Sequence, residues 1–207
     1  MREKEIAMTG RLDPEIMKRF PVVDVADLPQ DLQDRILAVS EKSGFIPNVF
    51  IGIAQRPDEM RAFFDFHDSV MDRETPGLSK ADREMIVVAT SAENSCLYCV
   101  VAHGAIARIR AKNPYISDQL ATDWRKADLD ARQHAIISAA VKLSVRPWEI
   151  VDADLEGLRA HGLSDEDIYD VGTITAFFAM SNRLVHWSGL MPNKEFYLMG
   201  RVPKTAG

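Results

Sequence analysis

Residues 84–103 read EMIVVATSAENSCLYCVVAH: two helix-compatible stretches separated by a short polar break at Asn94-Ser95. Cys96 and Cys99 are the only cysteines in the chain. In a helix, Cys96, Cys99 and His103 stand three and four residues apart and share one face. Two thiols in mutual reach with an imidazole one turn on form the minimum of a redox thiol site.

Helical signals extend outward in both directions. Ser79 with Asp82 three residues later forms a capping box with a shortened acid, which predicts a helix over 80–93. Ser95 is expected to cap the next helix, which holds Cys96 in its first turn and runs to about Lys112, where Asn113-Pro114 stops it. Upstream, helices are expected over 31–43, ending at Gly44, and over 57–71. A short apolar segment, Val49–Ala54, lies between them. Downstream, the pattern predicts helices over 117–125, 129–144 and 151–161. A long one then begins at the acidic Ser164-Asp165-Glu166-Asp167, favoured by the helix dipole, and runs to about Trp187. Strand alternation is hard to find, so the fold class is all-α. Leu78–Ile86 and Leu129–Ile137 look alike, as if one unit were used twice, although the second copy carries no cysteine. Residues 1–30 read as an irregular N-terminal arm, 31–195 as a single helical domain and 196–207 as a tail.

Composition narrows the function classes. With 46% hydrophobic and 27% charged residues, the 207-residue chain has an ordinary globular make-up. Its net charge of -6 argues against nucleic acid and an anionic membrane as partners. No stretch approaches the roughly 18 apolar residues of a membrane span. Met1–Phe20 carries charges throughout with no apolar core of signal-peptide length, so a cytoplasmic location is expected. A close cysteine pair in a reducing compartment points to catalysis or metal binding. Zinc normally takes four ligands, and with His67, His134, His161 and His186 scattered, no metal is expected. Covalent haem attachment needs a histidine directly after the second cysteine, where Val100 stands. No cofactor is expected.

A cysteine reacts as its thiolate and needs a lowered pKa. The start of the second helix stabilises charge near Cys96 and Cys99. His103, at i+4 from Cys99, can take its proton. Glu84, on a preceding helix that folds back, is expected to hold the far nitrogen of His103. Helix-end geometry favours Cys96 as the attacking sulfur, and the histidine spacing favours Cys99. Oxidation to a sulfenic acid followed by condensation with the neighbouring thiol gives a disulfide. Trp124, Trp148 and Trp187 are expected in the core or at subunit contacts. Asn182 is expected to brace the site or the subunit interface and Phe178 to sit on a buried helix face; with Tyr98, the two are also the expected lining of a substrate pocket.

Glu84, eleven residues, Cys96-Leu97-Tyr98-Cys99, three residues and His103 together resemble the E-x11-C-x-x-C-x3-H signature of the alkylhydroperoxidase D-like proteins of the carboxymuconolactone decarboxylase superfamily. Gly44–Asn48, Pro147 with Asp154-Leu155, His161–Asp165 and Asn182-Arg183 are similar to its peroxidase-related branch. The likeness spans roughly residues 40–190. The resemblance implies an all-helical, homo-oligomeric protein, a dimer, trimer or hexamer, that reduces hydroperoxides through the cysteine pair. It implies Cys99 as the peroxide-reacting thiol, Cys96 as the resolving one, and Glu84 and His103 as the proton relay. A lipoyl-bearing or thioredoxin-like protein would be the thiol reductant. Better-studied members often carry histidine where this chain has Tyr98, a residue with a pKa too high for a base near neutral pH, left to hydrogen-bond a peroxide or to pack. A redox-sensing module using the disulfide as a switch, or a thiol-disulfide oxidoreductase for another small substrate, are the competing readings.

Overall fold

A computed structural model describes residues 16–201; residues 1–15 of the expected arm and 202–207 of the expected tail lie outside the described part. Nine α-helices occur among the described residues. α1 spans Gln30–Ser43 and stops at Gly44, whose φ of 83° is the left-handed conformation that glycine adopts without a steric penalty. The short α2, Asn48–Gly52, occupies the apolar segment after Pro47. α3, Pro57–Met71, starts with a proline in its first turn, where the missing N–H costs nothing.

α4, Lys80–Glu93, opens with the expected Ser79–Asp82 capping box. Every residue from Asp82 to Ser91 is buried, the mark of a helix enclosed on all sides. It packs against α5 (Leu97–Ala111), α6 (Ile116–Asp123), α7 (Ala131–Val145) and α9 (Asp165–Ser188). α8, Asp152–Ala160, lies against α7 and α9. Among the described residues the extended structure is one isolated bridge, Met17 to Leu190. Among the described residues no helix is long and apolar enough to cross a membrane.

One local expectation is corrected. Ser95 does not cap α5; Cys96 holds that position, and Ser95 takes a left-handed φ of 53°. The Ser95 N–H donates to Ala92 and the Cys96 N–H to Ser91, the paired bonds of a Schellman ending. Ser95 therefore finishes α4 instead of starting α5, and the chain reverses with Cys96 at the turn's exit.

Charge inside the core is paired. The fully buried Arg83 donates to Asp170 at 2.6 Å and to the Val70 carbonyl at 2.8 Å; removing one partner of such a pair costs about 3–5 kcal/mol. Asp82 accepts from Gln133 at 3.0 Å and pairs with Arg132, so the two look-alike helix starts touch each other. The segment expected as a tail from residue 196 packs against α5 as far as Gly200, and Arg201 pairs with Asp118 on α6. Phe196 is buried, and the Arg108 guanidinium donates to the carbonyls of Phe196 and Met199. Gly104 lets α5 and α6 approach: a Cβ there would lie 2.2 Å from the Ser117 hydroxyl. Trp148 and Trp187 are exposed, which leaves neither in the core.

Candidate active site

The α4–α5 reversal brings Glu84 opposite His103. The His103 Nδ1 lies 2.7 Å from one oxygen of Glu84, and Arg110 donates to the other at 3.0 Å. Glu84 is almost fully buried, so its charge depends on these two partners. A carboxylate only accepts, so Nδ1 carries the hydrogen and Nε2 is left as the basic or reactive nitrogen. Arg110 was not anticipated, although it lies two turns beyond His103 on the same face of α5.

Cys96 and Cys99 are free thiols, both buried, in an apolar cluster with Tyr98, Ala102, Val185 and Phe196. The adjacent Cys99 thiol is the largest influence on Cys96. It lowers the Cys96 pKa to about 7 against the opposing effect of burial, with a smaller electrostatic contribution from His186. Cys99 is pushed well above the ordinary thiol range, first by Cys96 and then by burial; hydrogen bonds from Asn182 and Ser181 oppose this. The pair is thus polarised: Cys96 is the thiol that ionises first, and Cys99 is the one that keeps its proton.

Asn182 accepts from Asn94 at 3.0 Å and donates to Ser91 at 3.0 Å, which fastens α9 to the end of α4 beside Cys99. Ser181 is its neighbour in sequence and was missed. His186, one of the scattered histidines, donates from Nε2 to the Asn94 carbonyl at 2.9 Å. One turn away from Cys99, Phe178 meets the His103 ring edge-on at 4.7 Å. α5 and α9 therefore run antiparallel, with a sulfur layer (Cys99, Ser181, Asn182) and an imidazole layer (His103, Phe178). Among the described residues no hydrogen bond joins His103 directly to either sulfur.

Tyr98 is buried, and its hydroxyl accepts the Val49 amide at 3.0 Å. That amide is in the first turn of α2, where no intrahelical partner exists. The preceding amide, on Asn48, donates to the Asn193 side chain at 2.7 Å. Tyr98 thus helps cap α2, and burial raises its pKa beyond reach of proton transfer near neutrality.

A cavity of about 450 Å³ opens elsewhere, between α7, α8 and α9, lined by residues such as Leu143, Leu155 and Tyr169; none of its walls belongs to the thiol site. Among the described residues no three His, Cys, Asp or Glu side chains converge as metal ligands would.

The fold and site define a helical thiol protein of the AhpD-core type. The chain belongs to the carboxymuconolactone decarboxylase family, within its AhpD-like, peroxidase-related group: the family model matches residues 57–114, which contain Glu84, Cys96, Cys99 and His103. A crystal structure described as an alkylhydroperoxidase AhpD core, an uncharacterized peroxidase-related protein from Ralstonia eutropha JMP134, is 54% identical. It superposes with a TM-score of 0.88 over 91% of this chain and 98% of its own. An uncharacterized peroxidase-related protein from Silicibacter sp. TM1040 is 37% identical, with a TM-score of 0.84 over 92% of this chain and 98% of its own. The debrominase Bmp8, 18% identical with a TM-score of 0.70 over 91% of this chain and 97% of its own, shares the fold. No curated protein matches the chain.

Proposed function

We propose that this protein is a thiol-dependent peroxidase that reduces hydroperoxides through Cys96 and Cys99. The observation that carries the reading is a thiol pair polarised toward a Cys96 thiolate, one helical turn from a histidine held by a buried carboxylate. The names of the two close relatives as peroxidase-related point the same way.

Cys99 passes its proton to the Cys96 thiolate and attacks the distal oxygen of the hydroperoxide; Asn182 and Ser181 support the charge on its sulfur. An S–O bond forms and the O–O bond breaks. The leaving oxygen takes its proton from the histidine side of the site, to which the Glu84–His103 relay supplies protons. Cys96 then attacks the sulfenic acid, water leaves with the Cys96 proton, and the disulfide forms. A dithiol, such as a lipoyl-bearing or thioredoxin-like protein, restores both thiols. Phe178 and the neighbouring rings favour an organic hydroperoxide. The exposed Met180, Leu184 and Trp187 on α9 support assembly with further copies of the chain.

The test is turnover of cumene hydroperoxide with a dithiol present, with sulfenic acid trapped in the single mutants. Cys96→Ser and Cys99→Ser should each abolish turnover, and the trapped sulfenic acid should sit on Cys99 in Cys96→Ser. Full turnover by both mutants overturns the reading.

A further inference from the structure

His67, on α3, faces the same ground as His103. The two imidazole centroids are 6.3 Å apart, and Phe178 packs against both, at 6.4 Å from His67 and 4.7 Å from His103. Each histidine is held in the same manner. His103 meets Glu84, which Arg110 holds. His67 Nδ1 lies 3.0 Å from Asp68, which Arg35 holds. The hydrogen bond from His67 is the largest cause lowering the Asp68 pKa, so the acceptor is a carboxylate and the His67 Nδ1 is the donor. The Nε2 of His67 makes no hydrogen bond among the described residues, so an acid–base nitrogen is left available there too.

The two rings differ in access. The His67 side chain is 28% exposed and that of His103 is 13% exposed. His67 therefore lies on the solvent side of the imidazole layer, and His103 on the side of the sulfurs. Phe177 packs beside His67 at 6.1 Å, and the half-exposed Phe66 packs on Phe177 at 5.2 Å. These rings make an apolar approach suited to an alkyl or aryl group.

We propose that His67 is a second catalytic histidine, the general acid that protonates the leaving oxygen of an organic hydroperoxide attacked at Cys99. This rests on the peroxidase reading above. As the O–O bond breaks, its electron pair goes to the carbon-bearing oxygen, and the His67 imidazolium gives that oxygen its proton, releasing the alcohol. The sulfur is oxidised by two electrons and the peroxide reduced by two. When the dithiol later restores the pair with Cys96 as thiolate, one proton is released. It returns through His103 to His67. Tyr98 offers no substitute, since it is buried in the apolar cluster with its hydroxyl turned to the Val49 amide.

A general acid matters in proportion to how poor the leaving group is. His67→Phe, which keeps an aromatic ring in the cluster, and His67→Gln, which keeps polarity, are to be compared with the unaltered protein on cumene hydroperoxide and on a peroxycarboxylic acid. The alkoxide leaving group of the first needs a proton; the carboxylate leaving group of the second does not. The expected result is a loss of kcat/KM on the order of 100-fold for cumene hydroperoxide and a much smaller loss for the peracid, in both variants. Equal losses on both substrates assign His67 a structural role and overturn the inference, as does unchanged activity. If the unaltered protein consumes neither peroxide, the peroxidase reading itself fails, an outcome separate from failure of the variants alone.

Discussion

Glu84 and His103 meet at 2.7 Å across the α4–α5 reversal, with Arg110 on the other carboxylate oxygen. A buried carboxylate between a guanidinium and an imidazole fixes the ring's tautomer and orientation. Glu84→Gln keeps the shape and removes the charge. Turnover of a hydroperoxide should fall on the order of 100-fold. The pH midpoint of Cys96 alkylation should stay where it is, because His103 bonds to neither sulfur. A shift of that midpoint would show instead that the relay sets the thiol's charge.

The charge on Cys96 gives a pH dependence of definite sign. With a pKa lowered to about 7, its thiolate fraction rises with pH. Alkylation by a small reagent should therefore accelerate through pH 7 and level off above pH 8. Cys99→Ala removes the largest cause of the lowering and should move the midpoint upward, toward the ordinary value near 8.5. Mass spectrometry of the alkylated peptide over a pH series checks both.

Tyr98→Phe separates capping from catalysis. The variant loses the hydroxyl that accepts the Val49 amide and leaves a buried donor unpaired. A cost of about 1–2 kcal/mol is expected in denaturant unfolding, with peroxide turnover by the folded protein unchanged. A large loss of turnover without destabilisation would return Tyr98 to the chemistry.

Ser95 holds a left-handed conformation at the end of α4, which an L-residue adopts at a cost of roughly 1–2 kcal/mol. Ser95→Gly relieves that strain while losing some chain entropy. A net gain of roughly 0.5–1 kcal/mol should appear as a raised unfolding midpoint, because the Schellman bonds to Ala92 and Ser91 involve only backbone.

Most helices were legible because their ends are set by local chemistry. The Ser79–Asp82 and Ser164–Asp167 boxes and the Gly44 stop each act within four residues. Ser95 misled because a serine before a helix has two local uses, and only the course of the chain after Glu93 decides between them. Glu84 with His103 was legible because two helices joined by a short break must pack side by side. Ser181 and His67 were not, since they come from α9 and α3, and no local pattern states which faces of distant helices meet.

By itself, the sequence determined the helical class and placed Cys99 and His103 on one face of α5, because those depend on spacing along a single helix; Cys96 stands just before it, at the cap. Only the tertiary structure decided that Cys96 is the thiol that ionises first, that Tyr98 caps α2, and that His67 joins His103. Each depends on burial and on partners supplied by elements far apart in the chain, which come together when the apolar faces of α3, α4, α5 and α9 are packed.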